Sequence, residues 1–190
     1  MLLTEFDANR QAIINPEALH EPLEGFPKIA VSCFSRLTFQ RMLEMFPHEL
    51  IYETSMANVA IPIYKLVIDD NELAIFNAPV GASACVGILE DIFVLGADKL
   101  VLFGTCGVLD EDIKETSIII PSHALRDEGT SFHYVEASDE IAVNVGVLDH
   151  FRSYLNERQI SHKEGKVWTT DGIYRETNGK LKARKSAGAI

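Results

Sequence analysis

Lys99 to Asp110 reads KLVLFGTCGVLD, a short apolar run that ends abruptly in Gly104-Thr105-Cys106-Gly107. Leu100 to Phe103 is continuously apolar and closed by glycine, the pattern of a strand buried on both faces. A parallel strand that ends in a glycine-rich turn leaves backbone N–H groups free at the carboxyl edge of its sheet. Open α/β sheets bind ligands at that edge, and a concave run of N–H groups favours an anion. Two further segments sharpen the reading: RDEGTSFHY at Arg126 to Tyr134 and WTTDGIYRET at Trp168 to Thr177.

Outward from this stretch the chain alternates strands and helices. Residues 1–27 hold three prolines and no periodicity, which predicts an irregular arm. Lys28 to Ser32 reads as a core strand. Ser35 is placed to cap a helix in which Phe39, Met42, Leu43 and Phe46 share one face, ended by Pro47. Strands are expected at Glu49 to Tyr52, Ile61 to Ile68 and Leu73 to Phe76, the last two joined by a turn at Asp69-Asp70-Asn71. Pro79 to Ala84 is a small-residue loop, and Ala84 to Leu95 a helix stopped by Gly96. Beyond the Leu100 strand, Ser117 to Ile120 is a strand closed by Pro121, followed by a polar loop. Val145, Leu148, Phe151 and Leu155 mark an amphipathic helix, and Lys166 to Thr169 a further strand. The alternation implies an α/β sheet with helices on both faces. No internal repeat, low-complexity segment or linker divides the 190 residues, so one domain spanning 1–190 is expected.

A net charge of -11 argues against nucleic acid or an anionic membrane as the main partner. An anion site in such a chain has to be local, built from one or two arginines and backbone N–H groups. Cys33, Cys85 and Cys106 are odd in number and unpaired in spacing, which suggests reduced thiols in the cytoplasm rather than a disulfide framework or a zinc site. Cys106 is either a nucleophile after its strand or a small residue packed beneath a loop. The N-terminus MLLTEFDANRQ is acidic and lacks the pattern of a secretory signal, and no apolar run reaches a membrane-spanning length.

With these motifs the chain resembles the nucleoside phosphorylase family that includes bacterial purine nucleoside phosphorylase and uridine phosphorylase, from about Lys28 to Ile190. FGTCGVLD resembles the family's Gly-Ser/Thr-x-Gly loop. RDEGTSFHY resembles its Arg-x-Glu/Asp-Gly-Thr/Ala-Ser stretch, and WTTDGIYRET its Thr-x-Asp-x-Phe-Tyr stretch. APVGASACVG loosely resembles its Gly-Met-Gly-x-Pro-Ser loop and helix start. The resemblance implies a three-layer α/β fold with a mixed, mostly parallel central sheet flanked by helices. It also implies phosphorolysis: a nucleoside and inorganic phosphate give ribose 1-phosphate and a free base, with no metal or organic cofactor. The partners implied are nucleoside and phosphate, in a homodimer or homohexamer.

The resemblance places phosphate at Arg36, Gly104 and Thr105. Arg36 falls on the arginine of the family's Gly-Asp-Pro-x-Arg loop, through Ser32-Cys33-Phe34-Ser35-Arg36, although it also reads as an ordinary surface-helix arginine. Many members carry a second phosphate arginine where this chain has Phe103, and Arg126 is a candidate replacement. The base is assigned to Gly107, Ile173, Tyr174 and Arg175, with Ile173 where a stacking Phe is frequent. His133 and Tyr134 invite an acid–base role or a structural hydrogen bond, and Asp127 and Glu128 are expected to organise their loop through ion pairs. The family's Glu-Met-Glu ribose motif, and the catalytic Asp of purine-type members, would follow Gly188-Ala189-Ile190. The chain is therefore expected to be truncated at its C-terminus, without the last strands and helix, and its catalytic residues are unknown. Three functions stay open: a phosphorylase, a nucleosidase that uses water, and an inactive nucleoside-binding protein.

Overall fold

The structure, a computed structural model, describes residues 2–114 and 117–190. Its Cα positions divide into two compact units: Asn9–Thr105, and Met1–Ala8 together with Cys106–Ile190.

The first unit holds β1 (Ile29–Cys33), α1 (Arg36–Met45), β2 (His48–Met56), β3 (Val59–Ile68), β4 (Asn71–Asn77), α2 (Ala82–Leu95) and β5 (Lys99–Phe103). Its five-stranded sheet runs β2-β3-β4-β1-β5. β1 is parallel to both β4 and β5, while β2, β3 and β4 form an antiparallel meander. Both hairpin turns use non-glycine residues in the left-handed region, Ala57 in one and Asp69 and Asp70 in the other. The second is a two-residue turn in which Ile68 faces Asn71, so Asn71 opens β4 rather than closing the turn.

Side-chain alternation sends each face of this sheet to a different helix. Ala30, Ile61, Ile63, Ala74 and Phe76 pack with Ile88, Ile92 and Leu95 of α2. Cys33, Leu66 and Ile75 pack on the other face with Phe39, Met42 and Leu43 of α1. The α1 stripe is the one expected from the sequence. Ser35 caps it, accepting a hydrogen bond from the Thr38 N–H at 3.2 Å. Gly96 ends α2 with φ 135°, and a Cβ there would stand 3.2 Å from Phe26 Cβ. That φ favours glycine, and a side chain there would in addition crowd Phe26.

The arm of this unit is irregular apart from a 3-10 turn at Pro16–Ala18, yet it is docked. Phe26 is buried, and the Leu23 N–H bonds the Leu95 carbonyl at 3.0 Å. His20 Nε2 lies 3.2 Å from the Asp91 carboxylate, which also accepts from Thr54 Oγ1 at 2.7 Å.

The second unit holds β6 (Ile118–Asp127), β7 (Glu140–Ala142), α3 (Val145–Glu157), β8 (His162–Thr170) and α4 (Asn178–Ser186). Its three-stranded sheet runs β7-β6-β8, with β6 antiparallel to β7 and parallel to β8. Leu148 and Leu155 of α3 pack on Ile120 of β6. The strand does not close at Pro121 as expected but runs on to Asp127. The ladder to β8 shifts between Pro121 and His123, and β7 pairs only with His123 to Leu125. The missing N–H of Pro121 therefore falls at an irregularity with no β7 partner to lose, the setting in which a strand tolerates proline.

Mixed sheets flanked by helices match the expected class, with the described strands distributed over a five-stranded and a three-stranded sheet. Among the described residues, no helix is long and apolar enough to cross a membrane. Phe76 of β4 is fully buried in the core that α2 covers. Phe76→Ala is expected to cost about 3–5 kcal/mol, read as a lowered urea midpoint with an unchanged slope.

Candidate functional site

Parallel pairing decides where β4, β1 and β5 end. Cys33 lies opposite Asn77 on one side and Phe103 on the other, so the chain leaves all three strands at one edge. Phe34, Ser35 and Arg36 follow β1; Ala78 to Gly81 follow β4; Gly104 and Thr105 follow β5. This edge therefore brings together the three residues assigned to phosphate. Gly104 lies against Phe34: a Cβ at Gly104 would come within 3.0 Å of Phe34 Cδ2.

Arg36 is the first residue of α1, exposed, and the first turn of that helix has no acidic residue. Among the described residues it makes no ion pair. A helix N-terminus carries a partial positive charge, so a guanidinium there is placed against the dipole. Such an arrangement is unfavourable alone and favourable once an anion sits between the two. α2 starts on the same edge from Gly81, at φ 111°, with no side-chain cap and no acid in its first turn. Arg36 is the one cation among the residues that follow these three strands, and Phe103 at the end of β5 is 41% exposed.

The second unit has its own carboxyl edge, where β6 and β8 end with Asp127 opposite Thr170. Arg126 is here but is no free anion ligand, contrary to expectation. It is buried, and its guanidinium donates to Ser131 Oγ, the Glu136 carbonyl and Ser138 Oγ, each at 2.8 Å. It also lies 4.1 Å from the centre of the Phe132 ring. Five donors fixed in one plane suit a loop that folds back over its own strand, and that is their use here. Glu128 accepts from the Ser131 N–H and hydroxyl rather than pairing with Arg126.

Asp127 turns the other way. It accepts from Lys180 Nζ at 3.0 Å and Trp168 Nε1 at 3.1 Å, and lies 3.4 Å from Arg184 Nη2. Burial pushes its carboxyl up, but the hydrogen bonds from Lys180, Trp168 and Arg184 together outweigh it and hold the group below its ordinary value. Asp127 thus ties β6 to β8 and α4. Asp171, not singled out from sequence although it lies within WTTDGIYRET, accepts from the Gly129 N–H at 2.9 Å and joins the two loops of this edge.

Ile173, Tyr174 and Arg175, assigned to a base, form one 3-10 turn just past β8. All three are exposed, Tyr174 at 97%. The turn is closed by the Arg175 N–H on the Gly172 carbonyl at 2.7 Å. Gly107 stands in an open stretch, where a Cβ would meet nothing within 4 Å. His133 ends the 3-10 turn Thr130–His133 and is exposed. Cys106 is an exposed free thiol, whereas Cys33 and Cys85 are buried and burial raises their thiol pKa.

A family model described as "Phosphorylase superfamily" matches residues 28–190. The chain belongs to the phosphorylase superfamily. It is 29% identical over 94 residues to uridine phosphorylase of Treponema pallidum, an alignment covering 50% of this chain and 36% of that protein. Curated relatives as a group are matched over about a third to a half of their length. Among solved structures, uridine phosphorylase from Vibrio fischeri ES114 superposes with a TM-score of 0.76 at 18% identity, covering 94% of this chain and 75% of that one. A futalosine hydrolase mutant of Helicobacter pylori superposes with a TM-score of 0.67 at 18% identity, covering 84% and 74%. At such identity the superpositions speak to the fold.

The Asp127 cluster has a pH signature. Its carboxyl titrates lower in the folded chain than in the unfolded one, so its stabilisation is complete above the unfolded value of about 3.9 and disappears as pH falls through the folded value. In urea midpoints measured from pH 7 down to about 2.5, Asp127→Asn is expected to be less stable than the parent at neutral pH. The difference shrinks toward the acid end. A pH-independent difference would remove this role from Asp127.

Proposed function

We propose that this chain serves an enzyme that cleaves the N-glycosidic bond of a nucleoside by transfer to inorganic phosphate. The observation that carries the reading is Arg36: an exposed guanidinium at the start of α1 with no ion pair among the described residues, on the edge that also presents Gly104 and Thr105. Membership of the phosphorylase superfamily supports it.

In this reading a phosphate oxygen attacks the anomeric carbon of the ribose, and the bond from that carbon to the base nitrogen breaks. Positive charge grows on the sugar ring as the bond stretches. A phosphate anion held nearby stabilises that charge in the transition state more than in the ground state, which is what accelerates the step. The departing base gains electron density and must accept a proton or hydrogen bonds. Arg36 holds phosphate through its planar fork, and the Gly104 N–H and Thr105 hydroxyl add hydrogen bonds. Gly107, Ile173, Tyr174 and Arg175 are proposed as contacts to the base, with Arg175 facing its polar edge. The reaction needs phosphate as co-substrate and no cofactor, in a cytoplasmic homodimer or homohexamer.

One observation favours a second reading, a nucleosidase in which water replaces phosphate. Phe103 puts an apolar ring at the end of β5 and leaves Arg36 as the one cation on its edge. A single arginine is thin provision for a phosphate dianion. One of the structural neighbours is a hydrolase by name.

Phosphate dependence separates the two. Uridine, inosine and adenosine are incubated with the purified full-length protein, with and without phosphate, and released base is measured by chromatography. Base release only with phosphate is expected; equal release without it establishes the hydrolytic reading. Arg36→Ala should lower kcat/KM for phosphate about 10- to 150-fold, the worth of one charge-assisted interaction of roughly 1.5–3 kcal/mol. Arg41→Ala, further along α1, should leave it unchanged.

A further inference from the structure

Ser32 is a polar residue with no exposure near the end of β1, an interior strand of the five-stranded sheet, where it lies opposite Phe76. A hydroxyl in such surroundings costs stability unless both its capacities are used. Both are. Ser32 Oγ donates to the Phe76 carbonyl at 2.7 Å and accepts from the Ala78 N–H at 3.0 Å. Asn77, next to Ala78, donates through Nδ2 to the Cys33 carbonyl at 2.6 Å, and the Ala78 N–H reaches the same carbonyl at 3.1 Å. Cys33 Sγ in turn donates to the Ser35 carbonyl at 3.3 Å.

These bonds begin where the β1–β4 ladder stops, at Cys33 opposite Asn77. Beyond that pair the two chains diverge, one into α1 and the other toward α2. Without cross-links the exits would be free to splay. Two side chains continue the ladder past its last residues and lock the start of the Phe34-Ser35-Arg36 turn to the start of the Ala78–Gly81 turn. The connection from clamp to anion ligand is short: Cys33, whose carbonyl takes the Asn77 bond, is three residues before Arg36. A sheet-core apolar residue at position 32 would pack as well but would remove the Ser32 Oγ bonds to the Phe76 carbonyl and the Ala78 N–H, leaving the exit only the bonds to the Cys33 carbonyl.

We propose that Ser32 and Asn77 are positioning residues of the phosphate site, which hold the β1 and β4 exits together so that Arg36 meets the anion without a cost in ordering the turn. The inference rests on the phosphate reading of this edge. Preorganisation of this kind acts on anion affinity, because a turn that must be ordered on binding weakens the bound state by its ordering cost.

The test is calorimetric titration of the full-length protein with inorganic phosphate, alongside phosphate saturation kinetics. Ser32→Ala and Asn77→Ala are each expected to weaken phosphate binding and raise its KM 5- to 20-fold. Turnover at saturating phosphate and KM for the nucleoside should stay within twofold of the parent. Ser32→Thr, which keeps the hydroxyl, should recover at least half of the lost affinity on a logarithmic scale. The double Ala variant should lose less than the product of the two single losses, because both side chains act on one junction. Asn77 is only half-buried, so Asn77→Ala carries the test if Ser32→Ala does not fold. Unchanged phosphate affinity in a folded Asn77→Ala variant, or a loss of turnover at constant phosphate KM, overturns the inference alone. A parent protein that binds no phosphate overturns the inference together with the reading beneath it.

Discussion

Parallel pairing of β1 with both of its neighbours is the constraint on which the candidate site depends. A parallel strand delivers its exit to the same edge as its partner's, whereas an antiparallel one delivers it to the opposite edge. With Cys33 opposite both Asn77 and Phe103, three loops from separate parts of the chain are forced to begin within one strand spacing of the next. Arg36, Gly81 and Gly104 share an edge for that reason alone. The antiparallel β3 leaves the sheet at the opposite edge, and β2, antiparallel to β3, reaches this edge only to turn through Ala57 straight back into β3.

The two arginines most prominent in the sequence have opposite fates, and the difference is one of supply. Around Arg126 the chain offers two serine hydroxyls and two carbonyls from Val135 and Glu136, within a loop that folds back over the strand. Burial of a guanidinium is tolerated when most of its donors are satisfied, and once satisfied they are closed to a ligand. Around Arg36 the chain offers no acid in the first helical turn and only small or apolar neighbours along the edge. Among the described residues Arg36 is left exposed, without an ion pair and opposed to a helix dipole, and that contrast is what supports its proposed role as an anion ligand. The same accounting places Asp127 among structural groups, because three donors from β8 and α4 hold it charged.

Local signals were legible where one physical rule dominates. The α1 stripe of Phe39, Met42 and Leu43 follows from the 3.6-residue period, the Ser35 cap from side-chain chemistry, and the end of α2 from Gly96. The β3–β4 turn followed from the Asp69-Asp70 pair. At Pro121 a strong local stop is overridden by the pairing of β6 with β8, and Glu140–Ala142 is too short to show a period. The burial of Arg126 has no local signal either, since nothing in RDEGTSFHY states that the loop curls back onto its own arginine.

By itself the sequence determined the class of the chain: alternating strands and amphipathic helices, a glycine-rich turn after an apolar strand, and the motifs that carry its family resemblance. Those are properties of neighbours along the chain, governed by side-chain period, capping and turn chemistry. Only the tertiary structure decided which polar groups are left without a partner. Ser32 reads in sequence as one more small residue of a strand, and acquires its task because Phe76 and Ala78, 44 and 46 residues away, arrive beside it. Hydrogen bonds are satisfied in space rather than along the chain, so the division between groups that build the fold and groups that await a ligand appears only when the sheet is assembled.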